Sequence, residues 1–325
     1  MLSAMSGIKR KVLFGVETPA EGIEFDVLKA HALEAEKLGY NSVWLVDHIL
    51  TVAFPHGNPQ PDTWTTMSAL LASTSTIRVG AMVLCNAFRH APLMANAAAT
   101  LDRISKGRLE FAIGAGWYEQ EFHAYGYPFP KPAIRMAQLE EALQVFKKMW
   151  TEESASFEGK YYTIRDIRDC PKPYQQPHPP IWIGGSGEKK LLRLVAKYGD
   201  KWNAPQLGPD EIAHKIEVLE QHCQDVGRDP SEIEKTWWGS VFIDEDEERL
   251  KRRLERAAGN TSETRNAFYR SIIAGTPDQV TERLMEFVKV GVSQFVMNFG
   301  RVADLRGTQT FAATVMPKFR DVTVG

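Results

Sequence analysis

In Trp44-Leu45-Val46-Asp47-His48, a short apolar run ends abruptly in a carboxylate and an imidazole. Apolar runs of this kind, containing aromatic and β-branched residues, are typical of buried parallel strands. We therefore expect Asp47 and His48 at the C-terminal end of a strand. In a β/α barrel, that end of the sheet is where the chemistry takes place.

Strand and helix patterns alternate on both sides of this stretch, which favours parallel β/α units. Eight apolar runs are predicted as strands, and the sixth in order is the weakest: Val12–Val16, Ser42–Val46, Ile77–Leu84, Leu109–Ile113, Ile181–Ile183, Asp200–Ala204, Lys235–Ile243 and Gln294–Met297. Between them apolar residues recur at helical spacing, most clearly from Leu139 to Trp150. The sequence therefore predicts one α/β domain over residues 1–325, a (β/α)8 TIM barrel.

Two segments interrupt the alternation. His48–Asp62 is a loop with three prolines, and its length predicts a lid or a substrate loop. Residues 151–180 contain a short hairpin pattern, Phe157–Tyr162, followed by a proline-rich passage. We interpret this segment as an insertion between strands four and five of the barrel, not as a domain boundary.

The composition excludes several classes of protein. Of the 325 residues 43% are hydrophobic and 25% charged, and the formal net charge of -2 gives no general attraction to nucleic acid or to an anionic membrane. Three cysteines without CxxC spacing suit a reducing, cytoplasmic location, and no apolar stretch after residues 9–11 is long enough for a signal peptide or membrane anchor. The eight histidines form no HxxxH pair, so no metal is expected. We expect an organic cofactor and a small-molecule substrate.

Distinctive residues also follow three other predicted strands, and in a barrel all such ends meet at one mouth. They are Cys85-Asn86, Gly114-Ala115-Gly116-Trp117 and Gly184-Gly185-Ser186-Gly187. Glycines at these places would let a flat ring or a phosphate approach the backbone closely. For Gly184–Gly187, phosphate binding ahead of a helix competes with a plain tight turn that needs positive φ. Cys85 is interpreted as a buried side chain in preference to a nucleophile.

The imidazole of His48 is the strongest catalytic candidate. Imidazole groups pass protons readily near neutral pH, and the neighbouring Asp47 could orient the ring or bind a ring N–H. The alternative is an aspartate that caps a loop beside a surface histidine. The predicted position at the end of a strand favours the functional interpretation.

Six segments together resemble one known family. They are Val46-Asp47-His48, Phe88-Arg89-His90-Ala91-Pro92, Leu101-Asp102-Arg103-Ile104-Ser105-Lys106-Gly107-Arg108, Gly114-Ala115-Gly116-Trp117, Ile181-Trp182-Ile183-Gly184-Gly185 and Ala274-Gly275-Thr276-Pro277. In combination they resemble the bacterial-luciferase-like superfamily, and most of all its branch that uses the deazaflavin coenzyme F420. The resemblance spans nearly the whole chain.

The resemblance implies a (β/α)8 barrel that holds a flavin or deazaflavin at its C-terminal mouth. It implies that Asp47 contacts the coenzyme and that His48 donates a proton or stabilises the reduced coenzyme. It places a bulge with a non-proline cis peptide at Met82-Val83, behind the ring, and it makes Cys85 a ring contact. Together with the residues of the strand-end glycine segments, the predicted coenzyme-binding residues are Asp47, His48, Met82, Val83, Cys85, Gly114, Gly116, Trp117, Gly184, Gly185, Ser186 and Gly187.

The sequence departs from the sugar-phosphate dehydrogenases of this branch, which carry a glutamate where Trp117 stands and, shortly after the Asp-His pair, a tryptophan that is missing here. This departure argues against sugar-phosphate oxidation, and we expect Glu121, or alternatively Glu119, to replace the missing acid. The sequence thus predicts an F420-dependent oxidoreductase that transfers a hydride to or from a small organic substrate. An FMNH2-dependent monooxygenase and a non-catalytic flavin-binding protein are the alternatives, and the resemblance implies a homodimer.

Overall fold

The central feature of the fold is a closed ring of eight parallel strands, seen in a computed structural model that describes residues 8–52, 58–258 and 261–325. The strands are β1 (Leu13–Glu17), β2 (Ser42–Leu45), β3 (Arg78–Ala81), β4 (Leu109–Gly114), β5 (Ile181–Gly184), β6 (Lys201–Pro205), β7 (Glu234–Ile243) and β8 (Val292–Asn298). Each pairs with the next in chain order, and β8 pairs with β1. The predicted (β/α)8 TIM barrel is confirmed, including its weakest strand, β6.

Helices surround this ring. They are α1 (Phe25–Leu38), α2 (Thr63–Ser73), α3 (Ala91–Ile104), α4 (Glu119–Ala124), α5 (Pro132–Thr151), α6 (Leu191–Tyr198), α7 (Pro209–Val226), α8 (Glu247–Ala257), α9 (Ser262–Ser271), α10 (Pro277–Lys289) and α11 (Arg306–Thr314). The sequence pattern does not predict α4, α9 or α11. None of the helices in the described part of the chain combines the length and the apolar character required to cross a membrane.

The third predicted strand is interrupted. Ile77–Leu84 was expected to be continuous, but β3 ends at Ala81, and a second short strand, Leu84–Cys85, then pairs with the end of β4. The peptide bond between Met82 and Val83, which lies in the interruption, is cis, as the resemblance implies. The chain therefore turns at the C-terminal end of β3, and Met82 and Val83 line a cavity at that end of the barrel.

The segment between strands four and five carries an antiparallel hairpin, formed by Ala155–Glu158 and Thr163–Ile167. Its turn is attached to the barrel by Glu141 of α5, whose carboxylate accepts hydrogen bonds of 2.7–3.0 Å from the backbone N–H groups of residues 160–162. The insertion is thus fixed to an outer helix. Of the predicted lid loop, residues 53–57 lie outside the described part of the chain.

A buried polar cluster lies inside the barrel near the N-terminal ends of the strands. The carboxylate of Glu110 accepts a hydrogen bond of 2.8 Å from the Trp182 indole and pairs with Arg78, while the Trp182 ring lies edge-on to Trp44 at 4.7 Å. Burial alone would raise the pKa of Glu110, but the charges of Lys201 and Arg78 bring it below its ordinary value. The barrel interior is therefore filled at this end, and open volume is left at the other.

Candidate active site

A cavity of about 990 Å³ lies at the C-terminal ends of the strands. All eight strands or the loops that follow them contribute to its wall, one residue from each being Glu17, His48, Met82, Gly116, Gly184, Asn203, Trp238 and Asn298. The strand ends therefore converge as the sequence predicts. A volume at the upper end of the usual range for ligand sites has room for a coenzyme ring and a small substrate together.

Asp47 lies in the loop after β2, and its buried carboxylate is held by a guanidinium. Arg89 donates from Nη1 to Oδ2 at 2.7 Å and from Nη2 to Oδ1 at 3.1 Å, and the backbone N–H of Cys85 donates to Oδ2 at 2.8 Å. Bidentate pairing of this kind is among the stronger interactions open to a carboxylate. Arg89 also reaches Asp62 at 2.9 Å, the residue that caps α2. The pair thus fixes the loops after β2 and β3 to each other.

His48 faces a second carboxylate, that of Glu121. The Nδ1 atom of His48 lies 3.1 Å from each carboxylate oxygen of Glu121, and the backbone N–H of Ile49 donates to the same group at 3.1 Å. Glu121 is 2% exposed, whereas Glu119 is 62% exposed and pairs with His123 on the outside of α4. Of the two predicted acids, Glu121 is therefore the one beside the imidazole. No described residue hydrogen-bonds Nε2 of His48.

Trp117 lies at the mouth of the cavity. Its ring is edge-on to that of His48, with centroids 5.8 Å apart, and it is tilted against Tyr118 at 5.4 Å. Although it lines the cavity, 64% of Trp117 is exposed. A large aromatic ring left in water beside an imidazole offers an apolar face to any ligand that enters.

The strand-end glycines make room for the protein's own bulge. A Cβ atom added at Gly114 or Gly184 would lie 2.8 Å or 2.6 Å from a methyl group of Val83. At Gly116, where φ is +79°, it would lie 2.8 Å from Sγ of Cys85. These glycines were expected to admit a ring or a phosphate, but the closest space is filled by Val83 and Cys85.

Only part of the second glycine segment reaches the cavity. Gly184 and Gly185 line it, whereas Gly114, Ser186 and Gly187 lie outside the lining that the structure describes. The helix α6 begins at Leu191, so Gly187 does not open it directly, and the carbonyl of Gly187 instead accepts the N–H of Leu192 at 3.1 Å. Gly185 has φ +135°, which also satisfies the plain-turn interpretation.

Cys85 lines the cavity but is buried, and burial raises the pKa of its thiol to about 12. The thiol is therefore neutral at physiological pH, which excludes an activated thiolate nucleophile. This agrees with the interpretation of Cys85 as a buried side chain.

Within the described residues, no group of three histidine, cysteine or acidic side chains is placed to hold a metal ion.

Glu17, at the end of β1, is a functional candidate that the sequence analysis missed. Its carboxyl is buried in the cavity wall and accepts hydrogen bonds from the Trp238 indole and from Nδ2 of Asn298, the latter at 2.9 Å. Neither donor is charged, and burial raises the pKa of Glu17 to about 7. The signal was available, because Glu17 follows an apolar run as Asp47 does.

Comparison with known proteins identifies the family of this chain. Residues 11–294 match the family model described as luciferase-like monooxygenase. The chain belongs to the luciferase-like monooxygenase family. It is 26% identical to an F420-dependent glucose-6-phosphate dehydrogenase of Amycolatopsis mediterranei, over 94% of this chain and 98% of that protein. It is 25% identical to an FMNH(2)-dependent dimethylsulfone monooxygenase of Pseudomonas putida, over 92% and 89%.

The fold of this luciferase-like chain is also that of solved structures. An F420-dependent secondary alcohol dehydrogenase, in complex with an F420-acetone adduct, superposes with a TM-score of 0.83 at 23% identity, over 96% of this chain and all of that one. At this identity the similarity establishes the shared barrel. The family therefore contains proteins named for a deazaflavin and proteins named for a flavin.

Proposed function

We propose that this oxidoreductase uses coenzyme F420 and transfers a hydride between the deazaflavin ring and a carbon atom of a small organic substrate. The observation that carries the proposal is the His48–Glu121 pair, which presents a free imidazole nitrogen at the mouth of a large apolar cavity. The similarity to F420-dependent dehydrogenases over 94% of the chain supports the choice of coenzyme.

The residues present fit a flat, largely apolar ring. Met82, Val83, Cys85, Gly184 and Gly185 line the cavity together with Asp47 and His48, and Val83 packs directly against Gly184. When bound, a deazaflavin supplies a carbon atom that accepts or donates a hydride. The chain itself would hold the ring, exclude water around it, and manage the proton that accompanies the hydride.

His48 and Glu121 are proposed to move that proton. With Glu121 beside Nδ1, the neutral imidazole carries its proton on Nδ1 and leaves Nε2 free to accept one. Nε2 would take a proton from a substrate hydroxyl during oxidation and return it during reduction. Glu121 acts as the positioning residue, because it fixes the tautomer and stabilises the protonated ring.

Three exposed cations favour a coenzyme with an anionic tail. Lys189, Lys190 and Arg193 follow the cavity-lining pair Gly184-Gly185 in the chain, and all three are exposed. F420 carries a phosphate and a polyglutamyl tail, whereas FMN carries a phosphate alone. We expect tighter binding of F420 than of FMN or of the deazaflavin without its tail, and a loss of this advantage at high salt. Fluorescence titration of F420, FMN and the tail-free deazaflavin, at low and at high salt, measures the three dissociation constants and their dependence on salt.

Replacement of His48 tests the catalytic proposal. His48→Ala should lower turnover at least about 100-fold, as expected for loss of general acid–base catalysis, with little change in the dissociation constant of F420. Glu121→Gln should lower turnover less and shift its pH profile, and Glu119→Gln, on the exposed side of the same helix, is the matched control. Equal turnover of His48→Ala and the unmodified protein would show that His48 does not transfer the proton.

A reduced-FMN monooxygenase is the second candidate, favoured by the similarity to the dimethylsulfone monooxygenase. Tight FMN binding with oxygen-dependent turnover, and no F420 binding, would establish it in place of the first. If the protein binds a coenzyme but shows no turnover with F420 or with reduced FMN, the non-catalytic flavin-binding alternative would be supported. The homodimer, the single-domain organisation and the cytoplasmic location remain predictions from the sequence; sedimentation checks the first.

A further inference from the structure

The charges that line the cavity are unequal. Among the described lining residues, carboxyl groups belong to Glu17, Glu21, Asp47 and Glu121, whereas the guanidinium of Arg301 is the one permanent cation. No lysine contributes to the lining that the structure describes. The cavity is therefore acidic before any ligand enters.

Two of these carboxyls face a basic side chain, and two do not. Asp47 pairs with Arg89, and Glu121 faces His48. Glu17 accepts hydrogen bonds from neutral groups only, and Glu21 has no hydrogen bond or ion pair with any residue in the described ranges. Burial raises the pKa of Glu17 most, and the charge of Glu21 adds to the increase. Both carboxyls line the β1 side of the cavity, so an anion placed there meets the charge of Glu21 and, above about pH 7, that of Glu17 as well.

The acidic wall and the expected coenzyme-tail side lie opposite each other. Glu17 ends β1 and Glu21 lies in the loop after it, whereas Gly184 and Gly185 follow β5, four strands away in a ring of eight. An anionic tail near the glycines therefore stays clear of Glu17. A substrate placed on the β1 side meets uncompensated carboxyls.

Recognition of a phosphate ester needs several cations or N–H groups directed at it. Arg301, in the loop after β8, is exposed, so water and salt screen its charge. One screened guanidinium opposes the charge of Glu21 and the partly ionised carboxyl of Glu17. The β1 side of the cavity thus has the wrong sign of charge for a phosphorylated or carboxylated substrate.

We propose that the substrate is an uncharged alcohol, or the carbonyl compound formed from it, and that the acidic β1 side of the cavity excludes phosphate esters and carboxylates. This rests on the proposed function and names the substrate class of that site. In the oxidation, the carbinol C–H bond breaks and its hydride passes to the oxidised coenzyme, while the hydroxyl proton passes to Nε2 of His48. The substrate loses two electrons, the coenzyme gains them, and no other reactant is needed.

Matched pairs of compounds test the proposal. With F420 at saturation, coenzyme reduction is followed at its visible absorption band for glucose and glucose 6-phosphate, for glycerol and glycerol 3-phosphate, and for a series of neutral alcohols. The reverse reaction is measured with the corresponding carbonyl compounds. We expect turnover within the neutral series, and a kcat/KM for each phosphorylated compound roughly 100-fold or more below its neutral partner, as like-charge contact predicts.

A charge variant separates this cause from the shape of the cavity. Glu21→Gln should raise the kcat/KM of each phosphorylated compound, relative to that of its neutral partner, about threefold to tenfold, because one like charge is removed. Glu24→Gln, an exposed position on the same segment outside the cavity, should leave this ratio unchanged. These ratios should also shrink at high salt.

Two results would overturn the proposal. One is a phosphate ester used as well as its neutral partner; the other is no turnover of any neutral alcohol or carbonyl compound while fluorescence shows F420 bound. If fluorescence shows no F420 bound at all, the proposed function itself fails. The binding titration therefore distinguishes the two failures.

Discussion

Replacement of Glu17 by glutamine tests whether burial keeps this carboxyl partly protonated near neutral pH. The residue is 5% exposed, and burial raises its pKa from 4.5 to about 7. In the unfolded chain the carboxyl regains its ordinary value. A carboxyl whose pKa is higher in the folded state than in the unfolded state stabilises the fold below pH 4.5, and this contribution is lost as the pH rises through 7.

The size of the effect follows from the two pKa values. The interval from 4.5 to about 7, at about 1.4 kcal/mol for each pH unit, corresponds to about 3 kcal/mol. About 2.5 kcal/mol of this is lost between pH 5 and pH 8. Glutamine does not ionise, so Glu17→Gln should abolish this part of the pH dependence. The NH2 group of the glutamine would face one of the two N–H donors, that of Trp238 or that of Asn298, and would not accept its hydrogen bond. This should lower the free energy of unfolding by about 1 kcal/mol at every pH.

Urea unfolding followed by tryptophan fluorescence at pH 5, 6, 7 and 8 measures the effect. The informative quantity is the difference in the free energy of unfolding between the unmodified protein and the variant, because the other titrating groups cancel in it. We expect the unmodified protein to lose about 2.5 kcal/mol relative to Glu17→Gln over this range. Parallel pH curves would refute the reasoning. Glu24→Gln, an exposed glutamate, should give such parallel curves.

Two further substitutions test contacts that shape the site. Arg89→Met should lower the free energy of unfolding by about 3–5 kcal/mol in urea titration, because it leaves the buried carboxylate of Asp47 without its cation; a loss below 1 kcal/mol would contradict this. Gly184→Ala should cost about 1–3 kcal/mol and weaken coenzyme binding, because the added Cβ would lie 2.6 Å from a methyl of Val83. Gly187→Ala, whose Cβ would meet its nearest atom at 3.7 Å, is the control and should be near neutral.

The barrel could be predicted because its strands are buried on both faces. Residues 42–45 of β2 are all buried, and such a run is apolar with little alternation, which a single sequence reveals. Helix α9 could not be predicted in the same way, because none of residues 263–271 is buried and no apolar stripe marks it. The interruption at Met82-Val83 was visible only through the family resemblance. The periodicity of apolar residues marks elements that have a buried face, so an element such as α9, which buries little, cannot be recognised by it.

The positions of the site residues could be predicted, but their pairings could not. Asp47 and His48 follow a strand, so their place at the mouth follows from the barrel. Arg89 and Glu121 reach them from loops and helices elsewhere, at sequence separations of 42 and 73 residues. No periodicity encodes contacts across such distances. Glu17 was missed for another reason, since its strand ends in a single acidic residue without a second polar neighbour as distinctive as His48.

The choice between Glu119 and Glu121 shows how far sequence reasoning extends. Residues two apart on a helix point to nearly opposite sides, so only one of these acids could face His48 if the segment is helical. The sequence alone does not give the orientation of α4. In the structure Phe122 is fully buried and Glu121 lies beside it at 2% exposure, whereas Glu119 lies in solvent. The packing of Phe122 therefore sets the rotation of α4, brings Glu121 to Nδ1 of His48, and leaves Glu119 in solvent.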